Sequence, residues 1–443
     1  MKQNLQIRAV IHLSSTAVYT VVGYPDNYGK HLKIMAVGIA KTQGFFGGQI
    51  VNHHDLLNAI KISTNQAMDM AGVEFTHVGL SFATPNMQTD NAHSRINLVG
   101  DVPNAVGKPV RLDDIAGMLE KLKNDLLLNR ASPIQIITQF ATLDIGRPTE
   151  RATKNPVGLY AHHLHLNYHL IAMPRTYYQQ MDGVFAQSNL AIYPPVFAGV
   201  AGAEYALTHA EKERGICFVD IGAGVTNVCV YSNNMLIFSR CFGMAGSAVD
   251  KDIANWLNIS MAEAESIKKE EGFAYSSAVP KDRFITLQRN NKQGEIVLNR
   301  YELASIIEDR YFALFSRIFD TLDQEGMTEF FKDGIVLAGG GSKMNDLNRM
   351  VQKRFNVAVR QISVNNCVSV CVNDLNDDNI RMINKHLADN TLYNAIGVLL
   401  YQQSKQYEQD EQFLYPQTQS NQGFFGRLGE AYEQATNFLK KWM

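Results

Sequence analysis

The strongest constraint on the fold is an order of short elements that occurs twice in this chain. Near residue 10 the order runs from "LQIRAVIHL" through "SS" to "TAVYTVVGY", with a further strand and a helix behind it. Near residue 220 it runs through "FVDIGAGVTNVCVYSNNMLIF", where residues 222–224 form the turn. Strands alternating with helices predict an α/β fold, and two similar halves predict a cleft between them in which a ligand binds.

The turn at residues 222–224 has a composition that a hairpin alone does not require. Glycine supplies backbone angles that β-branched residues cannot adopt, so the pattern predicts a β-hairpin. A single carboxylate, Asp220, lies just before the turn and Thr226 lies just after it. The hairpin prediction leaves this carboxylate unexplained.

A further glycine cluster lies in "DGIVLAGGGSKMNDLNRMVQKRF". The pattern predicts a strand, a turn at residues 339–341 and a helix that begins near Ser342 or Asn345. Glycines before a helix allow an anion to approach backbone N–H groups closely. A tight turn without a ligand is an equally good interpretation of this cluster taken alone.

Composition excludes several classes of function. The formal net charge is −2, and no local basic patch indicates nucleic-acid binding. No run of about 18 apolar residues predicts a membrane span, and the N-terminus lacks the apolar core of a signal peptide. We therefore expect a cytoplasmic protein with no nucleic-acid partner.

The C-terminal region predicts a membrane-surface anchor. Residues 401–422 are rich in glutamine and predict a flexible linker. In residues 423–443, "GFFGRLGEAYEQATNFLKKWM", apolar side chains recur at spacings of three and four, which is typical of an amphipathic helix on lipid. The predicted membrane-binding residues are Phe424, Phe425, Leu428, Phe438, Leu439 and Trp442. The alternative is a helix that docks on its own domain or on a partner.

Three histidines in "HHLHLNYH" have a spacing open to Zn²⁺. His163, His165 and His169 would share a strand face, but no neighbouring cysteine or carboxylate completes a ligand set. An ordinary strand with polar residues at its edge is the favoured interpretation.

Several stretches carry a resemblance to a known family: "NPVGL", "FVDIGAGVTNVCVYSNNMLIF", "MAEAESIKKEEGFA", "EDRY" and "GIVLAGGGSKMNDLNRMVQKRFNVAVR". Their order resembles the actin, Hsp70 and hexokinase ATPase superfamily, and within it the chain is similar to the FtsA family of bacterial cell-division proteins. The resemblance implies an actin-like fold of two duplicated ribonuclease-H-like lobes with a nucleotide cleft between them. It also implies these subdomains: 1A at 1–82 and 166–195, an inserted 1C at 83–165, 2A at 196–250 and 305–400, and 2B at 251–304.

The resemblance also implies a site for ATP or ADP. Residues Ser14 and Ser15 match the first phosphate hairpin, and Asp220, Gly222, Gly224 and Thr226 match the second, with Asp220 helping to place Mg²⁺. Glu265 and Lys268 match the ribose and adenine contacts, the alternative being a solvated ion pair between them. The glycine turn, with Gly339, Gly340 and Ser342, matches the adenosine contacts.

Two departures from the family pattern affect the expected chemistry. The first hairpin has His12 through Ser15 where the family usually has an acidic residue and a glycine, and Asn227 stands where an aspartate is common. Neutral groups stabilise a magnesium-bound transition state poorly. We therefore expect nucleotide binding with very slow hydrolysis or none.

The partners implied by the resemblance are the C-terminal tail of FtsZ, further copies of the chain in filaments, later division proteins, and lipid. The implied location is the cytoplasmic face of the inner membrane at the division site. Two alternatives remain open at this point. One is an actin-like scaffold of a pilus or secretion system, and the other is a small-molecule kinase of the same fold.

Overall fold

The computed structural model describes residues 7–26, 31–100, 106–288, 295–372 and 375–414. The predicted membrane-binding residues, from Phe424 to Trp442, lie outside these ranges, as do residues 415–422 of the predicted linker. Within the described ranges, no helix has the length and apolar character needed to cross a membrane.

The first lobe begins with a hairpin whose strands are buried and rich in β-branched residues, as suits a sheet covered on both faces. Its helix α1 starts where the Asn52 side chain accepts a hydrogen bond from the Asp55 backbone, and ends at left-handed Gly72. The elements are β1 Arg8–Leu13, β2 Ala17–Pro25, β3 Leu32–Lys41, β4 Phe45–Phe46, β5 Gln49–Ile50, α1 His53–Ala71 and β6 His77–Phe82.

The inserted region has its own hydrophobic core, in which Ile115 and Leu119 of the helix meet Leu164 and Leu166 of the sheet. The sheet order is β10-β9-β12-β7. Strand β12 runs from His163 to Pro174, so the predicted boundary at residue 165 lies inside this strand. The elements are β7 Gln88–Asn97, β8 Lys108–Pro109, α2 Leu112–Leu128, β9 Ala131–Leu143, β10 Arg151–Thr153, β11 Tyr160–Ala161 and β12 His163–Pro174.

The chain then crosses to the second lobe. The connecting elements are α3 Arg175–Ala186, β13 Ala191–Ile192, β14 Val196–Phe197, α4 Ala198–Ala206 and α5 His209–Arg214. The elements that follow are β15 Ile216–Ile221, β16 Thr226–Ser232, β17 Met235–Phe242, α6 Gly246–Leu257, α7 Met261–Glu271, β18 Phe284–Gln288, β19 Glu295–Asn299 and α8 Arg300–Gln324. The remaining elements are β20 Ile335–Ala338, α9 Leu347–Phe355, β21 Val359–Gln361, β22 Val368–Val370, α10 Asp377–Ala388, α11 Tyr393–Tyr401 and α12 Lys405–Leu414.

The two large sheets repeat one topology. The order β17-β16-β15-β20-β21 in the second lobe matches β3-β2-β1-β6 in the first, where β13 and β14 both pair with β6. In the first lobe, β1 pairs antiparallel with β2 and parallel with β6. In the second lobe, β15 pairs antiparallel with β16 and parallel with β20. The predicted duplication is therefore present in the structure.

The last part of the chain returns to the first lobe, which corrects the predicted extent of subdomain 2A to residue 400. Strand β22 pairs parallel with β3, and α11 packs on α4 and against β1, β2 and β6. The apolar residues of α11 belong to the first-lobe core. In the predicted subdomain 2B, buried residues such as Ile253 and Ile267 share one core with β15 and β16.

The predicted linker at 401–422 is also wrong for its first part. Residue 401 ends α11, and residues 405–414 form α12, which packs on α2 and β9 of the inserted region. The glutamine-rich composition suggested a solvated chain, but Asp410 and Gln406 make buried or half-buried hydrogen bonds with Thr138.

Candidate functional site

A cavity of about 1270 Å³ lies between the two lobes. It brings together most of the residues that the sequence singled out, from positions more than 300 residues apart. The predicted residues that line it are Ser14, Ser15, Asp220, Gly222, Glu265, Lys268, Gly339, Gly340 and Ser342. Gly224 and Thr226 are not among the lining residues.

The first hairpin presents neutral groups to the cavity. The Ser14 hydroxyl accepts hydrogen bonds from the backbone of Thr16 (3.3 Å) and Ala17 (3.1 Å) and donates to the Ala17 carbonyl (2.9 Å), so it shapes the turn. The Ser15 hydroxyl accepts from Gly47 N–H at 3.1 Å. His12 is buried, and burial lowers its pKa to about 4, so its imidazole is neutral at pH 7.

The second hairpin uses its glycines for space rather than for backbone angles. Neither Gly222 nor Gly224 has a positive φ, contrary to the expectation from the sequence. A Cβ on Gly224 would lie 2.5 Å from Ser15 Oγ and 2.6 Å from Gly47 N, so this glycine lets the two lobes approach each other. The Thr226 hydroxyl donates to Met244 O at 2.7 Å and is buried beside the turn.

Asp220 is buried at the cavity wall and both of its carboxylate oxygens accept hydrogen bonds. Tyr393 donates its hydroxyl to Oδ1, and the side-chain amides of Asn227 (3.1 Å) and Asn394 (3.4 Å) donate to Oδ2. Burial raises the pKa of Asp220, and these three hydrogen bonds oppose the rise. The carboxylate is thus held by protein donors.

A magnesium role for Asp220 competes with its hydrogen bonds to protein donors. The two carboxylate oxygens offer about four acceptor directions, and three side chains already use three of them. Across the described ranges, no group of three histidine, cysteine, aspartate or glutamate residues could hold a metal ion. Asp220 therefore keeps about one acceptor direction for a metal ion or its waters, and its role in placing Mg²⁺ stays a prediction.

Glu265 and Lys268 both reach the cavity wall, but they do not form the ion pair considered as their alternative role. Lys268 is buried and pairs with Asp250 at 2.6 Å, and it also donates to Gly246 O at 3.2 Å. Glu265 pairs with Lys269 at 2.6 Å near the surface. The backbone N–H of Gly246 in turn donates to Gly222 O at 3.0 Å, so Lys268 supports the second hairpin through α6.

The glycine turn after β20 packs against the second hairpin. Gly339 has φ +86, and a Cβ there would lie 2.3 Å from Ile221 O. A Cβ on Gly340 would meet no atom within 4 Å, so this residue borders open space. The Ser342 hydroxyl donates to Gly339 O (2.9 Å) and so stabilises the turn. Gly340 and Ser342 lie in a short 3-10 turn, Gly340–Lys343, and α9 begins after it and later than predicted, at Leu347.

Sequence reasoning missed three residues that define the site: Tyr393, Asn394 and Asp250. The first two begin an otherwise apolar helix, "YNAIGVLLY", in which a buried asparagine is an unusual feature. Asp250 lies at an apolar position of α6, beside buried Val249 and Ile253. A polar residue at an apolar position of a helix was the sequence signal that could have identified these three residues.

The histidine cluster does not assemble into a metal site in the described part of the chain. His169 is buried, with its two ring nitrogens 2.8 Å from Asn91 Oδ1 and 2.8 Å from Ser239 Oγ. It therefore ties the inserted sheet to β17 of the second lobe. Burial lowers the pKa of His169 to about 4.

Comparisons with known proteins agree with this architecture. The family model described as cell division protein FtsA matches residues 217–383. FtsA of Escherichia coli K12 is 26% identical over 359 residues, which cover 79% of this chain and 82% of the relative. FtsA of Buchnera aphidicola (subspecies Baizongia pistaciae) is 25% identical over 419 residues, which cover 93% and 90%. Both relatives are described as cell division proteins.

The fold has solved relatives as well. A structure of the PilM-PilN type IV pilus biogenesis complex matches with a TM-score of 0.60 and 14% identity, over 90% of this chain and 98% of that chain. An identity this low shows a shared fold alone. With its duplicated lobes and the cavity between them, the chain has an actin-like fold, and its sequence is similar to that of FtsA.

Proposed function

We propose that the protein is a nucleotide-binding, actin-like component of the division machinery that polymerises and tethers the FtsZ ring to the inner membrane. The observation that carries the nucleotide role is the cavity between the lobes, which two hairpins and the 339–341 turn line in an FtsA-like chain. The ligand is ATP or ADP. Lys343 and Arg349 supply positive charge on the cavity wall, whereas Lys268 and Lys269 are paired with Asp250 and Glu265.

Nucleotide binds with little dependence on magnesium, and hydrolysis is very slow or absent. The support for this is the state of the two hairpins, since His12 is neutral and Asp220 is held by three donors. With a neutral His12 in the first hairpin and Asp220 held largely by protein donors, a metal ion and an attacking water are poorly oriented.

A calorimetric titration of the purified protein with ATP, with and without Mg²⁺, tests the proposal. We expect binding in both conditions, with affinities that agree within about threefold. Tyr393→Phe frees one oxygen of Asp220 and should make binding more dependent on magnesium, whereas Tyr311→Phe, which loses a hydroxyl that donates to Gly341 O, should not. Failure to bind ATP in either condition would contradict the nucleotide role.

Contact with the FtsZ tail is proposed for residues 251–304. The support is the hairpin of β18 and β19, a separate two-stranded sheet on which Phe284 and Val297 are 63% and 64% exposed. Phe284→Ser should weaken binding of an FtsZ tail peptide, while Val106→Ser on the inserted region serves as the matched control. A protein that never binds FtsZ would favour the pilus or secretion scaffold, and measured phosphotransfer would favour the kinase.

The inserted region is proposed to contact neighbouring subunits or later division proteins, and residues 423–443 to bind lipid. The support for lipid binding is the apolar periodicity of that segment. Truncation after Gln422 should abolish co-sedimentation with anionic vesicles. Unchanged pelleting of the truncated protein would refute the anchor.

A further inference from the structure

Helix α12 covers an edge of the inserted sheet. Strand β10 pairs with β9 only at Ala141–Leu143, so Thr138 lies beyond the paired stretch. Asp410 accepts hydrogen bonds from the Thr138 backbone (3.0 Å) and hydroxyl (2.5 Å), and Gln406 donates to the Thr138 carbonyl (2.9 Å). Side chains of α12 therefore satisfy both backbone groups of an edge residue, as a neighbouring strand would otherwise do.

The hydrogen bonds between α12 and Thr138 are well formed, but the helix that makes them is short. Helix α12 has ten residues, and an isolated helix of that length is marginal in water. Besides Asp410 and Gln406, its contacts include Gln409, which donates to Lys154 O at 2.6 Å, and Tyr407, whose ring lies 5.6 Å from that of Tyr401. The contacts to Thr138, together with packing on α2, therefore hold a helix that is marginal by itself.

We propose that α12 is a releasable clasp, which fixes the start of the C-terminal segment to the inserted region through the edge of β9. With the clasp closed, eight residues (415–422) separate α12 from the predicted lipid-binding segment, and eight residues span at most about 28 Å. With the clasp open, the tether starts after α11 and its 21 residues span up to roughly 70 Å. This consequence for reach rests on the proposed membrane role, but the clasp itself does not.

Protonation of Asp410 sets the strength of the clasp. Burial raises the pKa of Asp410 to about 7, and the hydrogen bonds from Thr138 and Gln406 oppose the rise. Strand β9 has no ionisable side chain. Tyr401 at the end of α11 is buried, and its pKa is raised by burial and then by the Asp410 charge. The charged residues on α12 with described side chains are Lys405 and Glu408, and those on α2 are Asp113, Asp114, Glu120, Lys121, Lys123 and Asp125.

The pH dependence of α12 docking follows from the difference between the pKa values of Asp410 in the docked and the undocked helix. The docked carboxyl has a higher pKa than the undocked one, so docking is strongest below the ordinary aspartate value and is lost as the pH rises towards about 7. The docking constant should fall about tenfold for each pH unit between pH 5 and pH 7, and change little above pH 8. Acidification tightens the clasp.

Hydrogen exchange of the full-length protein, without lipid or nucleotide, tests the clasp. After correction for intrinsic rates, protection of the α12 amides relative to β15 should fall about tenfold per pH unit from pH 5 to pH 7. Asp410→Asn keeps an acceptor for Thr138 but cannot ionise, so its profile should be flat. Glu408→Gln, on the exposed face of the same helix, should follow the wild type.

The β15 amides report whether each variant is folded, so a misfolded variant cannot be mistaken for an open clasp. A flat wild-type profile, or equal slopes for wild type and Asp410→Asn, would overturn the proposal. Failure of ATP binding or of vesicle binding would overturn the proposed function and leave this exchange result unaffected.

Discussion

The first and second hairpins occupy equivalent places in the two duplicated sheets, yet they present different chemistry to the same cavity. The first has two serines and a neutral histidine, and its turn is shaped by its own Ser14 hydroxyl. The second has a buried carboxylate, Asp220, and is supported from outside by α6 and Lys268. Duplication of a backbone thus preserved the geometry of the cleft without preserving the means of stabilising it.

Burial acts on the two hairpins in opposite directions. It lowers the pKa of the His12 imidazole and raises the pKa of the Asp220 carboxyl, which in both cases favours the neutral form. The group with the lowered pKa costs stability as the pH falls, whereas the group with the raised pKa costs stability as the pH rises through its folded value. Burial therefore opposes charge at both hairpins, and at the second hairpin three hydrogen bonds to Asp220 oppose this effect.

The largest expected effect comes from removing the external support of the second hairpin. Lys268→Met keeps the apolar stem but leaves buried Asp250 unpaired, which should lower the free energy of unfolding by about 3–5 kcal/mol. Lys269→Met breaks only the exposed pair with Glu265 and should cost less than about 0.5 kcal/mol. Urea unfolding curves measure both variants. Equal costs would show that the second hairpin does not depend on α7.

The next effect concerns the contact between the hairpins. Gly224→Ala puts a methyl group 2.6 Å from Gly47 N and 2.5 Å from Ser15 Oγ, and the strain should cost about 1–3 kcal/mol. Gly340→Ala is the matched control, since its methyl group meets open space and should change stability by less than about 0.5 kcal/mol. Thermal unfolding of the two variants measures this difference. A Gly224→Ala variant as stable as Gly340→Ala would mean that the lobes do not touch here in solution.

These contacts mark the limit of prediction from the sequence. Local patterns predicted both hairpins and the helix behind the first one, α1, because periodicity and turn residues determine such elements. They could not predict the partners of Asp220, since Tyr393 lies 173 residues further along the chain. The resemblance supplied the order of the lobes, but nothing local indicated that β22 would pair with β3.

The polar composition of α12 led to the wrong prediction of a linker, because here too the partners lie far away in the sequence. Gln406 and Asp410 are typical of a solvated linker when their neighbours in sequence are the only information. Their partner is Thr138, 272 residues before Asp410, on a strand edge that needs hydrogen bonds. The resemblance assigned Gly224 to a phosphate turn, and its close approach to Ser15 and Gly47 of the other lobe could not be read from one hairpin.

A pH series sharpens the contrast between the two hairpins. Because the pKa of buried His12 is lowered from 6.5 to about 4, wild-type stability should decrease by about 2 kcal/mol more than that of His12→Asn between pH 7.5 and pH 5. The loss occurs on acidification because the unfolded state then binds the proton that the folded state excludes. Exposed His54→Asn should follow the wild type. Parallel stability curves for wild type and His12→Asn would refute a neutral, buried His12.

The smallest expected effect separates the two serines of the first hairpin. Ser14→Ala removes hydrogen bonds within the turn and should cost about 1 kcal/mol of stability, with ATP affinity unchanged within about twofold. Ser15→Ala removes the acceptor of Gly47 N–H and the hydroxyl that faces the cleft, so it should weaken ATP binding about threefold to tenfold. Unfolding curves and ATP titrations on the same samples distinguish the two effects. If both variants weaken ATP binding equally, the whole turn holds phosphate and the hairpins are more alike than their residues suggest. If only Ser15→Ala does, the first hairpin contributes one hydroxyl to a site that the second lobe dominates.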